Sequence, residues 1–91
     1  MSVTLSLPAV LTRLTDGART LEASGATVGD VVQDVAGRFP QLAPRLRDEQ
    51  GNPYSFVTFY LNDEDIRFTG GFATVVRDGD ELIIVPAIAG G

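Results

Sequence analysis

The sequence predicts a single α+β domain, with one main helix packed on one face of a mixed sheet of four or five strands. The chain has 91 residues, which is enough for one hydrophobic core. Its 44% of hydrophobic and 21% of charged residues are ordinary for a globular protein. One segment has clear helical periodicity, whereas several short segments alternate between apolar and polar residues. One helix and several strands bury their apolar sides most simply as two stacked layers.

The first quarter of the chain predicts an antiparallel hairpin with a long loop. Residues 2–7 alternate with a period of two, as a half-buried strand does, and Pro8 ends the pattern. Asp16-Gly17 is a turn signal. Residues 20–23 alternate again and predict the second strand of the hairpin.

The helix is expected to begin after Thr27, whose side chain can cap its first turn, and Asp30 adds a favourable negative charge there. Apolar side chains follow at helical spacing as far as residue 39, and Pro40 ends the pattern. Because valine and glycine are poor helix formers, packing must hold this helix. Residues 41–47 contain a second proline and predict at most a short helical turn.

The second half of the chain predicts the rest of the sheet. Residues 54–61 alternate and are rich in aromatic and β-branched side chains, as a strand is. A polar turn at 62–65 and a brief return strand at 66–68 follow. After the turn at 78–80, the unbroken apolar run 82–85 predicts a central strand that is covered on both faces. Among small folds, a β-grasp topology best suits this order of elements.

The composition excludes several classes of function. Cysteine and histidine are absent, which removes thiolate nucleophiles, disulfides, the usual zinc ligands and imidazole acid–base chemistry. The net charge is −5, which disfavours a nucleic-acid partner. All seven basic side chains are arginines, so no side-chain amine is available for isopeptide or Schiff-base formation. With no apolar run of membrane-spanning length and no leader pattern, we expect a cytoplasmic protein that is a carrier or binding module, not an enzyme.

The last residues are the candidate site. The domain is expected to span residues 1–86, and residues 87–91 are expected to form a flexible tail that reaches roughly 17 Å when extended. Glycines are slender and conformationally free, so the tail is suited to threading into the active site of a partner. The threading residues are Ala87, Ile88, Ala89 and Gly90, and the α-carboxylate presented is that of Gly91. The alternative interpretation of a terminal glycine pair is a frayed end with no function.

The run 76–86, with its Asp-Gly-Asp turn, apolar strand and proline, followed by Ala-Ile-Ala-Gly-Gly, resembles the C-terminal signature of ubiquitin-like sulfur carriers. These include the small subunit of molybdopterin synthase, the carrier of the thiamine pathway and a carrier of bacterial cysteine biosynthesis. The resemblance covers the whole chain. Residues 62–68 followed by Gly70-Gly71, together with the ending 86–91, look most like the cysteine-biosynthesis subgroup.

The resemblance implies chemistry performed on this chain by other proteins. An E1-like adenylyltransferase and sulfurtransferase would attach AMP from ATP to the Gly91 carboxylate. Sulfur from a persulfide or sulfide would displace AMP and leave a thiocarboxylate. A cysteine synthase that holds an aminoacrylate on pyridoxal phosphate would accept the sulfur, and a zinc metallopeptidase would release the new cysteine. No cofactor or metal is expected on the chain itself.

Three alternatives remain open at this point. The first is a sulfur acceptor that belongs to molybdopterin or secondary-metabolite biosynthesis. The same activated carboxyl group would also serve a ubiquitin-like modifier that is joined to lysines of target proteins. The third alternative is a plain interaction domain with an inert tail.

Other polar and aromatic groups have simpler interpretations. The carboxylates at 63–65, 78 and 80 lack the spacing of a calcium loop and are interpreted as solvated turns. Gly70-Gly71 is interpreted as turn geometry, and Arg67 either pairs locally or touches a partner. Five aromatic side chains are expected in the core or on the sheet face, although an exposed one would mark a docking surface. They are Phe56, Phe59, Tyr60, Phe68 and Phe72.

Overall fold

The computed structural model describes residues 2–47 and 57–86. Its strands and α-helices are β1 (Ser2–Ser6), β2 (Thr20–Ser24), α1 (Val28–Arg38), α2 (Ala43–Leu46), β3 (Val57–Leu61), β4 (Glu64–Asp65) and β5 (Glu81–Pro86). Short 3-10 helices span Ala9–Thr15, Ile66–Phe68 and Gly71–Ala73. The predicted strand residues 54–56 lie outside the described residues, as do all the predicted tail residues, 87–91.

The strands form one mixed sheet in the order β2-β1-β5-β3-β4. Strand β5 is central: it runs parallel to β1 and antiparallel to β3. The hairpin of β1 and β2 pairs Ser2 with Ser24 and Ser6 with Thr20. The predicted α+β class and the β-grasp topology are therefore confirmed.

Helix α1 has the predicted cap and the predicted buried side. Thr27 Oγ1 accepts a hydrogen bond from the Asp30 backbone N–H at 3.2 Å. The helix approaches the end of β2 so closely that a Cβ atom on Gly25 would lie 2.6 Å from Asp30 Cβ. Four valines of the helix are completely buried and press on the sheet: Val28, Val31, Val32 and Val35.

The core lies between α1 and the sheet. Its largest fully buried side chain is Phe59 of β3, whose ring meets that of Phe72 edge to face, with centroids 5.3 Å apart. Leu5, Leu82 and Ile84 fill the neighbouring positions on β1 and β5. Each such side chain contributes about 1.5–3 kcal/mol through burial, so packing, not helix propensity, stabilises the domain.

The return strand was predicted at residues 66–68, and this placement is wrong. Strand β4 is Glu64–Asp65, and Ile66–Phe68 form a 3-10 helix. The turn needs only two residues because Asn62 and Asp63 both adopt positive φ angles, 50° and 72°. A two-residue hairpin loop requires positive φ, which asparagine and aspartate tolerate. Pairing therefore resumes at once, with Leu61 opposite Glu64.

The prediction that residues 82–85 are covered on both faces is also wrong. Leu82 and Ile84 are buried, but Val85 keeps 41% of its surface exposed and Ile83 is only half-buried. Since α1 packs against the side that carries Leu82 and Ile84, the other side of β5 is open. Strand β5 is therefore central within the sheet, but it is covered by a helix on one face only.

Candidate functional site

The end of β5 positions the predicted tail. Its last residue, Pro86, lies opposite Val57 of β3, so the central strand stays paired up to the last described residue. The tail would therefore leave from a fixed point at one end of the sheet. The predicted site residues Ala87, Ile88, Ala89, Gly90 and Gly91 themselves lie outside the described residues, and their role stays a prediction.

The open side of the sheet carries a group of side chains next to this exit point. We call it the open-face patch and define it as Thr58, Tyr60, Ile83 and Val85. Ile83 lies directly opposite Tyr60, and Val85 lies directly opposite Thr58. Residues opposite each other in an antiparallel pair have side chains on the same face, about 5 Å apart. The patch is thus a continuous, partly exposed surface that begins one residue before Pro86.

Sequence reasoning did not identify the residues of this patch, although the chain carries a signal that reveals them. One long amphipathic helix can cover only one face of a five-stranded sheet. A second face without such a helix exposes every other side chain of an apolar strand such as β5. The apolar residues on that face are consequently available for contact with another protein.

At the end of the sheet away from Pro86, Asn62 forms hydrogen bonds that hold two turns together. Its backbone N–H donates to the Glu81 carbonyl at 2.9 Å, and its side-chain oxygen accepts from the Glu81 N–H at 3.0 Å. Its side-chain amide also donates to an Asp80 carboxylate oxygen at 2.9 Å. That bond, together with one from the Arg77 backbone N–H, holds the pKa of Asp80 below its ordinary value of 3.8. The two turns at this end are therefore joined to each other.

Arg67 makes a local ion pair, the first of its two predicted interpretations, while contact with a partner stays a prediction. Its guanidinium group reaches the Asp65 carboxylate with Nη2 at 2.7 Å and Nε at 3.0 Å. The Arg67 side chain, and then its backbone N–H, lower the pKa of the Asp65 carboxyl group. As a surface pair it adds little stability, but it fixes the turn that presents Phe68 to solvent. Phe68 is 83% exposed and lies in a 3-10 helix, so its expected place in the core or on the sheet face is wrong.

The remaining candidates have structural roles. Gly70 and Gly71 have φ angles of 122° and 62°, which confirms the turn geometry. Among the residues that the structure describes, no group of carboxylates is arranged to hold a metal ion. Five acidic residues belong to the turns and strand ends that lie away from Pro86: Asp63, Glu64, Asp78, Asp80 and Glu81.

A shallow groove of about 290 Å³ lies near the same end of the sheet. Its walls include Leu61, Glu64, Thr69, Thr74 and Arg77. The two threonine hydroxyl groups are 2.9 Å apart and satisfy each other. With no histidine or cysteine in the chain, the groove has no paired nucleophile and imidazole base. No helix within residues 2–47 and 57–86 is long and apolar enough to cross a membrane.

Comparisons with known proteins agree on one family. The sequence pattern of the ThiS family matches residues 5–91. The chain is 44% identical over 93 residues to the sulfur carrier protein CysO of Mycobacterium tuberculosis, and the alignment covers 100% of both proteins.

Solved structures give the same result. A chain in the crystal structure of the Amycolatopsis orientalis BexX/CysO complex superposes with a TM-score of 0.90 at 45% identity, covering 98% of this chain and 99% of that one. SAMP1 from Haloferax volcanii superposes with a TM-score of 0.84 at 29% identity, covering 100% of both chains. The β-grasp fold is thus shared with carriers and with small archaeal modifiers.

Proposed function

This chain belongs to the ThiS family and is a sulfur carrier protein close to CysO, and on that premise we propose that the carboxyl group of Gly91 carries the sulfur. The observation that carries the proposal is the end-to-end match with CysO. The described domain supports it, because the central strand β5 leads directly into the proposed tail, residues 87–91. Proteins of this kind are carriers and not catalysts, so the chemistry on Gly91 belongs to partner enzymes.

The proposed cycle activates a group that is inert at rest. An E1-like adenylyltransferase transfers AMP from ATP to the Gly91 carboxylate and releases pyrophosphate. Hydrosulfide then attacks the acyl carbon, the bond to the phosphate oxygen breaks, and AMP leaves together with a proton. The product is a thiocarboxylate, a soft nucleophile that this chain provides without cysteine. The chain binds no cofactor in this scheme.

The proposed acceptor is a cysteine synthase that holds an aminoacrylate on pyridoxal phosphate, followed by a zinc metallopeptidase that releases cysteine. The likeness to CysO supports this acceptor over molybdopterin or a secondary metabolite. The BexX/CysO complex supports the idea that carriers of this kind dock on a separate enzyme. These ATP-dependent steps place the proposed function in the cytoplasm.

The domain and the tail have separate tasks in this proposal. The open-face patch supplies recognition because it carries the apolar side chains of Ile83 and Val85, is partly exposed and lies next to Pro86. The tail supplies chemistry because Gly90 and Gly91 lack side chains and fit a narrow channel. A partner that binds the open-face patch therefore keeps the Gly91 carboxyl group within roughly 17 Å of Pro86.

Intact-mass measurement tests the proposal. We expect the chain, treated with the E1-like enzyme, ATP, Mg²⁺ and sulfide, to exchange one oxygen for one sulfur within its last residue. Deletion of Gly91 or the substitution Gly90→Val abolishes the exchange, whereas the control Gly37→Ala retains it because nothing lies within 4 Å of a Cβ atom there. Normal sulfur loading of the Gly90→Val variant would contradict the channel argument, and no loading of the unaltered chain would contradict the proposed function.

A second candidate function is conjugation to other proteins. The full-length similarity to SAMP1, a small archaeal modifier protein, favours it. The same acyl adenylate would then react with a lysine amine of a target instead of with sulfide. Antibody detection in cell lysate distinguishes the two: a pure carrier shows only the free chain, and a modifier shows products of higher mass that disappear when Gly91 is deleted.

A further inference from the structure

Phe68 is the most exposed large apolar side chain among the described residues, at 83% of its surface. An aromatic ring left in water forgoes the free energy that its burial would supply. Aromatic side chains are also enriched among the few residues that dominate binding between proteins. Phe68 is therefore a strong candidate for a contact that the domain does not make by itself.

The 3-10 helix Ile66–Phe68 directs this ring away from the core. Its closing hydrogen bond runs from the Thr69 N–H to the Ile66 carbonyl at 3.0 Å. With three residues per turn, Ile66 and Thr69 lie on the same side of this helix, and Ile66 is buried. Arg67 and Phe68 occupy the two remaining sides, and both are exposed. The exposure of Phe68 thus follows from the anchoring of Ile66 in the core.

Asp65 holds the start of this 3-10 helix. Its carboxylate accepts a hydrogen bond from the Arg67 backbone N–H at 2.9 Å and pairs with Arg67 Nη2 at 2.7 Å. Only 10% of the Asp65 side chain is exposed, against 70% of the Arg67 side chain, so the guanidinium group lies on the solvent side of the carboxylate. Because the backbone next to Phe68 is already ordered, less entropy is lost when a partner contacts the ring.

The 3-10 helix borders the open-face patch. Asp65 lies directly opposite Tyr60 in the register of β4 and β3, so the two side chains share the open face, about 5 Å apart. The surface continues from the patch across Tyr60 to Asp65 and then to the turn that carries Phe68, at the edge of the sheet formed by β4. A partner that binds the patch therefore meets this turn at its border.

The charges next to this turn indicate the kind of partner. Asp63 and Glu64 are exposed, and neither takes part in an ion pair with another of the described residues. In a symmetric contact between two copies around Phe68, these carboxylates would be brought together and would repel each other. They favour instead a partner whose apolar pocket is bordered by lysine or arginine side chains.

We propose, on the basis of the proposed function, that Phe68 is the anchor by which the E1-like adenylyltransferase selects this chain, with its ring in an apolar pocket that has basic borders. Such an enzyme activates an α-carboxylate, a group that every protein chain carries, so the reacting group alone gives no selectivity. Specificity is a difference in affinity between partners, and the surface of the domain supplies it. Asp65 and Arg67 are positioning residues for the ring.

Binding and kinetic measurements with the E1-like enzyme test this inference. Isothermal titration calorimetry without ATP gives the Kd, and pyrophosphate release at varied carrier concentration gives KM and kcat for adenylation. For Phe68→Ser, the Kd should rise at least tenfold, and KM should rise with kcat unchanged, because the ring lies outside the reacting group. The matched control is Val75→Ser, which removes an exposed apolar side chain away from the open-face patch and should leave the Kd and KM unchanged.

The role of the ion pair is tested by combining variants. Arg67→Gln should raise the Kd by a smaller factor than Phe68→Ser, and it should add nothing in the Phe68→Ser background, because a positioning residue acts only through the group that it positions. Effects that multiply in the double variant would overturn this role. All variants should retain the Tm of the unaltered chain, since the altered side chains are exposed.

A rise in Kd of less than tenfold for Phe68→Ser would overturn the inference and leave the proposed function intact, because the unaltered chain would still release pyrophosphate. Sedimentation of the chain alone covers the other occupant: a dimer that Phe68→Ser dissociates, with the Kd for the enzyme unchanged, would assign the ring to a second copy and likewise overturn the inference. Absence of pyrophosphate release from the unaltered chain would contradict the proposed function and the inference with it.

Discussion

Replacement of Gly37 by alanine should stabilise the domain, and the structure gives the magnitude. Gly37 lies in helix α1, and an ideal Cβ atom built on it has no neighbour within 4 Å. The substitution therefore adds no steric strain. It restricts the unfolded chain and improves helix propensity, which together contribute about 0.5–1 kcal/mol.

The matched control is the same substitution at Gly29, which lies in the first turn of the same helix. A Cβ atom on Gly29 would lie 3.1 Å from the carbonyl oxygen of Phe72 and 3.2 Å from its Cβ atom. The gain in helix propensity is therefore opposed by repulsion against the 3-10 helix Gly71–Ala73. We expect Gly29→Ala to be less stable than Gly37→Ala, although both change glycine to alanine in the same helix.

Thermal unfolding followed by circular dichroism measures both variants. For a domain of this size, 0.5–1 kcal/mol corresponds to a rise in Tm of about 2–8 °C for Gly37→Ala. The reasoning is refuted if Gly29→Ala raises Tm as much as or more than Gly37→Ala, because the packing of α1 on Phe72 would then not be as close as described.

Other consequences can be measured on the same protein. Phe59→Ala should cost about 3–5 kcal/mol in urea unfolding, since it empties a completely buried position; a cost below 1 kcal/mol would contradict the assigned core. Val85→Asp should raise the KM for adenylation about tenfold with little change in kcat, whereas Val75→Asp should not, because Val75 lies outside the open-face patch although it is more exposed than Val85, 66% against 41%. Because the folded-state pKa values of Asp65 and Asp80 are lowered, their contribution is complete above about pH 4 and is lost as the pH falls further. When both carboxylates are replaced by asparagine, the free energy of unfolding should fall less steeply as the pH is lowered. An unchanged dependence of the unfolding free energy on pH would contradict the assignment.

The local rules of the sequence were sufficient for α1 and for the hairpin. The cap at Thr27 and the spacing of the valines were enough to predict the helix, because each feature depends on residues no more than four positions apart. The alternation at residues 2–7 and 20–23 likewise needs only neighbouring positions. These elements stand where they were predicted, with ends that differ by one residue at most.

The errors occurred where long-range packing decides. Glu64 and Asp65 have low strand propensity and form β4 only because the turn at Asn62 and Asp63 delivers them to β3. The exposure of Val85 depends on where the single long helix lies, which apolar composition does not encode. The residues of the patch could therefore not be identified by interpreting each strand alone. The predicted tail residues lie outside what the structure describes.

The parallel pairing of β1 with β5 has a mechanical consequence. Ser2 and Pro86 lie at opposite ends of neighbouring strands, and β5 is bonded to β1 on one side and β3 on the other. Traction on the segment beyond Pro86 runs along the strand and loads these transverse bonds in shear, all at the same time. An enzyme that draws the terminus into its interior would accordingly pull against the stiffest direction of the domain, which would follow as a rigid body without unravelling.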